Sequence, residues 1–377
     1  MKDFLKRHKV VRGFLKVLFR ICIVVLLINV FTLIFMHVYP SFGARTTKSD
    51  RGDYKRRADG YFDGEEFYYP SEWKIEGVKE NNKVSKKETV PKDNLPIETP
   101  DFTKASEDDV CVTWMGHSSM LIQMHGKNIL IDPVFADRSS PVQWAGPERY
   151  TKPSITVDDI PKLDAVLITH DHYDHLDMDT IKALEKKTDH FIVPLGVEKH
   201  IKRWIKNDSK VFNLAWWGSV NLGGLEIYCT PSCHRSGRAL DDQLSTLFCS
   251  WVLKDEKHQI FESGDTGYGA HFEEIHDRFG DFDLFMPDSG QYNINWHSSH
   301  MFPEETVMAA ETLGAAAVMP IHWGTFVLSD HGWDDSPERV TTQCENKGIE
   351  VITPKICETM SLNNSESYHD RWWRDYE

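Results

Sequence analysis

Apolar positions along this chain fall into two patterns. Residues 21–39 form one unbroken run, ICIVVLLINVFTLIFMHVY, without Asp, Glu, Lys or Arg. As a helix this run is long enough to cross a hydrocarbon core of about 30 Å, and its apolar character on every side argues against a core helix of a soluble domain. Beyond residue 105 the apolar runs are short and regularly interrupted. Residues 163–168, 192–195, 225–230, 247–253, 259–261, 284–287 and 316–321 have strand character, and 110–123 with 128–132 read as an early β-meander. Between them, 180–187, 196–206 and 303–313 read as helices. Strands alternating with helices predict an α/β body of about 250 residues built on a single core. No stretch repeats at sequence level and none is low in complexity, so the pattern reveals no relation between the halves.

The remaining segments are charged or aromatic. Residues 50–58 and 74–92 read as solvated loops or linkers. The run 60–70 between them contains Tyr61, Phe62, Phe67, Tyr68 and Tyr69 and is expected to pack on the body. The tail holds Trp372, Trp373 and Tyr376 among charges; docking on the domain and contact with a membrane interface are both open. The expected division is an anchor at 1–44, a lead segment at 45–105, the main domain at 106–360 and the tail at 361–377.

Charge orients the apolar run. Residues 1–20 carry seven Lys or Arg and one acid, a net +6, so the rest of the chain holds −21 of the total −15. Basic flanks stay cytoplasmic, which predicts a single-pass anchor with the main domain on the extracytoplasmic side. Cleavage as a signal peptide is the competing reading, and Ser41-Phe42-Gly43-Ala44 is a poor cleavage site. An acidic body does not suit nucleic-acid binding. The seven cysteines, one of them Cys22 in the apolar run, form no evident disulfide framework. Free thiols are unusual in an exported domain and weigh mildly against that orientation.

The densest chemistry follows the strand at 163–168. His170-Asp171-His172-Tyr173-Asp174-His175 places three imidazoles and two carboxylates in six residues. These are ligands for zinc, iron or manganese. One ion rarely takes four ligands from so short a stretch, whereas two adjacent ions can: His170 and His172 on one, Asp174 and His175 on the other. Further ligands are sought at other strand ends, where His234, Asp265 and His322 stand. Each alone reads as a turn residue or a satisfied polar group. Together they repeat one geometry, since open α/β sheets build sites at one edge. Cys229 and Cys233 flank His234 and offer a zinc–thiolate alternative.

These residues carry a family resemblance. The chain resembles metallo-β-lactamase-fold hydrolases, and within them the branch of the N-acyl-phosphatidylethanolamine-hydrolysing phospholipase D. Similar segments are Thr113-Trp114-Met115-Gly116-His117-Ser118-Ser119, Ile131-Asp132-Pro133-Val134-Phe135 and Ser140-Pro141 with Gly146-Pro147-Glu148-Arg149-Tyr150. The histidine cluster, Ser263-Gly264-Asp265-Thr266-Gly267-Tyr268, His300 with Pro303-Glu304-Glu305, and Ile321-His322-Trp323-Gly324-Thr325-Phe326 continue it. Coverage is roughly 105 to 355, in the family's order. The resemblance implies an αβ/βα sandwich of two mixed sheets with outer helices. It implies His170, His172 and His234 on a first metal ion, Asp174, His175 and His322 on a second, and Asp265 bridging. His300 matches an active-site histidine that is not a ligand; its plain alternative is a surface residue ahead of a helix. His117 reads as a supporting residue more than a ligand. One departure is Gly290-Gln291-Tyr292-Asn293-Ile294-Asn295-Trp296 with the short link His297-Ser298-Ser299, where the branch usually has Gly-Ala-Tyr-Glu-Pro-Arg-Trp and a longer link. That loop faces substrate in the family, so head-group preference is open.

Two divalent cations, zinc first and iron or manganese as alternatives, lower the pKa of a shared water to about 7. A bridging hydroxide is then the expected nucleophile, with Asp265 and His300 as the catalytic side chains, and no Gly-x-Ser-x-Gly elbow competes with it. The expected function is phospholipase D-type cleavage of an N-acyl-phosphatidylethanolamine to N-acylethanolamine and phosphatidic acid. A lactone, β-lactam or other amide hydrolase is the alternative on the same scaffold, and a non-catalytic metal-binding module is a third reading that the complete ligand set argues against. The partners implied are a phospholipid or other phosphodiester and the membrane; a homodimer stays open.

Overall fold

The computed structural model describes residues 2–73 and 84–376. Within the linker expected at 74–92, residues 74–83 lie outside the described residues. Helix α1 (Lys2–Val38) joins the basic flank and the apolar run in one continuous helix. Its Val11–Val38 part is long and apolar enough to cross a membrane, and its most apolar window is unburied in the protein.

The segment 50–58 is a helix, α2 (Lys48–Arg57), and not the loop its charge suggests. Thr47 caps it: its hydroxyl accepts from the Asp50 N–H, and the Asp50 carboxylate accepts from the Thr47 N–H. Such a box satisfies two otherwise orphaned donors. Tyr54 is the anchor on the inner face, buried against Phe62 and Phe67. The aromatic run that follows packs on the body, with Tyr61 stacked on Trp216 at 4.4 Å and Phe67 fully buried.

The body is two mixed seven-stranded sheets around a shared core. The first contains β1 (Cys111–Trp114), β2 (Met120–Met124), β3 (Lys127–Ile131), β4 (Leu163–Leu167), β5 (Thr188–Pro194) and β6 (Val211–Leu214). The second contains β7 (Ser219–Leu222), β8 (Leu225–Thr230), β9 (Ser250–Lys254), β10 (Gln259–Glu262), β11 (Leu284–Met286), β12 (Ala317–Val318) and β13 (Glu350–Val351). The last strand, β14 (Thr359–Ser361), returns to the first sheet beside β1. Strand order is β14-β1-β2-β3-β4-β5-β6 and β13-β12-β11-β10-β9-β8-β7.

The two sheets share a plan that the sequence hides. Each runs through antiparallel pairs, β14/β1/β2/β3 and β7/β8/β9/β10, and then through parallel ones, β3/β4/β5/β6 and β10/β11/β12/β13. Helices α3 (Met178–Leu184) and α4 (Val197–Trp204) make two of the three parallel crossovers of the first sheet, and the long connection 132–162 makes the one from β3 to β4. Helices α5 (His271–Phe279), α6 (Pro303–Thr312) and α7 (Asp335–Lys347) make those of the second. Parallel strands need such crossovers, which cover their faces. Alternation explains the layering. Ile260 and Leu253 point into the shared core, while their neighbours Phe261 and Val252 pack outward with Phe272, Val307 and Val340 of the outer helices. The tail docks on the body: Trp372 stacks on Trp323 at 5.4 Å, and Trp323 packs in turn on Trp114 at 5.0 Å.

Candidate metal centre

Strand ends from both sheets deliver the polar side chains to one place. β4 ends in the loop carrying His170 to His175, β8 leads to His234, β10 to Asp265, β11 to Asp288 and β12 to His322. The two halves are tied there by backbone: the His117 N–H donates to Trp323 O at 2.9 Å, and the His322 N–H to His117 O at 3.0 Å. His322 adopts φ +70, a left-handed conformation that few residues other than glycine tolerate. Gly290 is required beside it, because a Cβ at that position would overlap the His322 carbonyl.

All seven ligand residues expected from the sequence come together. His170, His172, His234 and Asp265 form one group of converging donor atoms; His117, Asp174, His175 and His322 form another. Asp265 lies between them. Its Oδ1 stands 3.2 Å from Nε2 of both His175 and His322, while its Oδ2 stands 3.7 Å from His170 Nε2 and 3.6 Å from His234 Nε2. Asp174 Oδ2 is 2.9 Å from His117 Nε2 and 3.5 Å from both His175 and His322. His117 therefore belongs to the second group through Asp174, in keeping with a supporting residue.

The outer nitrogen of most rings is held by a named acceptor. His175 Nδ1–H donates to Asp132 at 2.7 Å, His322 Nδ1–H to Asp288 at 2.9 Å, and His234 Nδ1–H to the Ser299 carbonyl at 3.0 Å. The Thr169 hydroxyl donates to Asp132 at 2.6 Å and accepts from His170 Nδ1–H at 3.0 Å. Partners of this kind fix ring orientation and tautomer. They leave His170 Nε2 and His234 Nε2 with free lone pairs, 2.9 and 3.2 Å from His172 Nδ1. One proton on His172 Nδ1 can bridge only one of the two, whereas a cation among the three nitrogens satisfies all of them. Asp265 Oδ1 is likewise buried, with the ring nitrogens of His175 and His322 converging on it at 3.2 Å. Imidazole and carboxylate, dry and convergent, fit divalent metal ions.

Electrostatics agree. Burial and the neighbouring rings hold His170 well below its ordinary pKa, and burial lowers His172 and His234, so all three are neutral and ready to ligate. At His322 burial opposes charge but is outweighed by Asp265, Asp288 and Asp174, which push the ring up to about 10. Desolvation would raise Asp265, yet His175 and His322 hold it well below the usual carboxylate range. Without metal these rings take protons as substitute cations; metal binding must displace them.

His300 is not a surface residue ahead of α6. Its Nδ1 lies 2.8 Å from Asp288 Oδ2, its Nε2 lies 4.0 Å from Asp265 Oδ2, and its ring stacks on His322. Asp288 and Asp132 are the residues missed as site components. Both are fully buried carboxylates one or two residues past an apolar strand, which was the available signal. Cys229 and Cys233 stand apart from the donor groups: Cys229 is buried within β8, and Cys233 Sγ contacts His271 Nδ1 at 3.3 Å.

A cleft of about 370 Å³ opens beside His234. Its walls include Tyr68 and Tyr69 of the lead segment, Arg235, and Asn295, Trp296 and Ser299 of the departing loop. The Tyr69 hydroxyl donates to Ser298 O at 3.1 Å and clips the two walls together.

Comparison with known proteins agrees with this arrangement. A family profile described as the β-lactamase superfamily domain matches residues 127–323. An uncharacterised protein of Mycobacterium tuberculosis is 36% identical over 284 residues, covering 74% of this chain and 76% of the relative. The N-acyl-phosphatidylethanolamine-hydrolyzing phospholipase D 1 of Caenorhabditis elegans is 34% identical over 256 residues, covering 64% of this chain and 70% of the relative. Igni18, a metallo hydrolase of Ignicoccus hospitalis, superposes with a TM-score of 0.52 at 22% identity, over 67% of this chain and 98% of its own, which bears on the fold. The chain therefore belongs to the β-lactamase superfamily, as a metal-dependent hydrolase of the branch that contains the N-acyl-phosphatidylethanolamine-hydrolysing phospholipases D.

Proposed function

We propose that this chain is a membrane-anchored phosphodiesterase that cleaves N-acyl-phosphatidylethanolamine to N-acylethanolamine and phosphatidic acid. Two divalent ions, zinc first, would be held by His170, His172 and His234 on one side and by Asp174, His175 and His322 on the other, with Asp265 shared. The observation that carries this reading is the division of Asp265, one oxygen toward each histidine group. When bound, the ions supply Lewis acidity toward a phosphoryl oxygen and acidify water.

The chain's own residues do the rest. Asp288 accepts from His300 Nδ1–H and fixes the ring with Nε2 on the metal side. From there His300 delivers a proton or a hydrogen bond to the leaving ethanolamide oxygen. Asp288 also orients His322, so one carboxylate sets both a ligand and the proposed acid. The aromatic cleft beside His234 accepts the apolar part of the substrate, with the cationic Arg235 on its wall for the anionic part. The anchor α1, N-terminus inside, would place the body on the extracytoplasmic face beside its lipid substrate.

The test is a hydrolysis screen of metal-loaded protein against N-acyl-phosphatidylethanolamine, other phospholipids, lactones and β-lactams. Release of N-acylethanolamine with phosphatidic acid is expected. Turnover of lactones or β-lactams with none of the phospholipids would overturn the substrate class and favour the alternative reading, for which the altered wall at 290–299 gives room.

A further inference from the structure

The stem after α1 does not enter the body as a free linker. Phe42 is buried with Met36 against Ala239. Trp204 Nε1–H donates to Pro40 O at 2.8 Å, and Arg203 donates to Gly43 O at 2.8 Å. Arg45 closes the stem on Asp241 and Asp242 at 2.8 and 2.7 Å.

Two contacts from this stem converge on one residue of the metal loop. The first runs through Arg238, a buried guanidinium. Its Nε–H and Nη2–H donate to Ser41 O at 3.0 and 2.8 Å; its Nη1–H groups donate to Asp171 O at 2.6 Å and Leu176 O at 2.9 Å. Its plane lies 4.0 Å from the Tyr173 ring centroid. The second runs through His200. The Ala44 N–H donates to His200 Nδ1 at 3.0 Å, which leaves the proton on Nε2 to donate to Asp171 Oδ2 at 3.2 Å. Asp171 is itself buried, and it stands between His170 and His172. Its backbone carbonyl and its carboxylate are thus both held by groups that the stem holds.

We propose that the docked stem, residues 40–44, is a structural part of the metal centre: through Arg238 and His200 it fixes Asp171, and so the spacing of His170 and His172. This rests on the assignment of those two histidines as ligands. Arg238 and His200 are positioning residues, and stem docking and metal retention are one coupled property. A chain whose stem is peeled from the body loosens its hold on the ion of the His170, His172 and His234 group.

The test uses the full chain in lipid nanodiscs, loaded with zinc, and reads the rate of zinc release to a chelator. Two substitutions attack the two paths. Gly43→Ala acts from the stem, because Gly43 has φ +73 and a Cβ there would overlap the His200 ring. Arg238→Gln acts from the body. Partners behind a ligand typically change metal affinity about 10–100-fold, and release is expected to quicken by that order in each variant. Because both paths end on Asp171, the double variant should release little faster than the faster single one. Arg57→Gln is the control: it breaks a different tie between the lead segment and the body, to Asn213, and should leave release unchanged. Should Arg238→Gln fail to fold, Gly43→Ala decides. Unchanged release in the folded variants overturns the coupling. Fully multiplicative effects, or an equal change in Arg57→Gln, reduce them to general destabilisation and overturn it too. A wild-type chain that retains no zinc would instead overturn the ligand assignment beneath it.

Discussion

Replacing Asp265 by Asn keeps the side chain's shape and removes one of its two anionic oxygens. Under the proposed assignment this leaves one histidine group without its shared carboxylate. Hydrolysis should fall by about 100-fold, with bound metal, measured by elemental analysis, at or below the two ions proposed for the wild type. Normal turnover in Asp265→Asn would remove the bridging role. His300→Ala should behave differently: metal content stays, while turnover of a lipid substrate drops by about 100-fold. The loss should shrink for a nitrophenolate leaving group, which needs no proton; equal losses for both would take His300 out of acid catalysis. At this scale the sequence was legible where a motif concentrated the chemistry, as at His170 to His175. His234, Asp265 and His322 were legible only together, as residues after strands that the family resemblance places in one ligand set. Asp288 and Asp132 were not, because a lone carboxylate after a strand looks like a turn residue until the rings it orients are seen.

Elements were legible where one face is strongly apolar. The strand expected at 225–230 is β8 as observed, and the helix expected at 303–313 is α6. Helix α7 escaped because its buried face is built partly from Ser336, Thr341 and Cys344 and not from Leu or Ile. The strand expected at 316–321 shrinks to the two residues of β12, since Pro320 has no N–H to give to a ladder. Helix α2 was read as loop because ten residues offer one apolar anchor, Tyr54. Helix α5 carries a test of its own. Burial pushes His271, its first residue, down to about 3 from 6.5. A ring kept neutral in the fold and protonated when unfolded contributes stability that is full above pH 6.5 and is lost as pH falls toward 3. At about 1.4 kcal/mol per unit, about 2 kcal/mol should be lost by pH 5. Thermal or denaturant unfolding of the metal-free protein at pH 7 and pH 5 checks this: His271→Gln should show a flatter dependence, and an unchanged one would contradict the assignment.

At the scale of the whole molecule, the shared plan of the two sheets explains why the site lies where it does. By position in the plan, β1 corresponds to β8, β3 to β10 and β4 to β11. The residues that follow match in kind: His117 with His234, Asp132 with Asp265, and the loop of His170 to His175 with Asp288. One half contributes supporting residues where the other contributes proposed ligands, and both meet along the edge joined by His117 and Trp323. None of this was visible in the sequence, because such a plan is kept by strand pairing and not by residue identity. The proposed anchor gives a prediction at this scale. Protease added outside intact cells should digest the body while the protein sediments with membranes; full protection would reverse the proposed orientation. The central claim is hydrolysis at phosphorus, and labelled water tests it most directly. Turnover of N-acyl-phosphatidylethanolamine by the full chain in oxygen-18 water should place the label in phosphatidic acid and leave the N-acylethanolamine unlabelled. Label in a released fatty acid carboxylate, with none in a phosphoryl product, would contradict it.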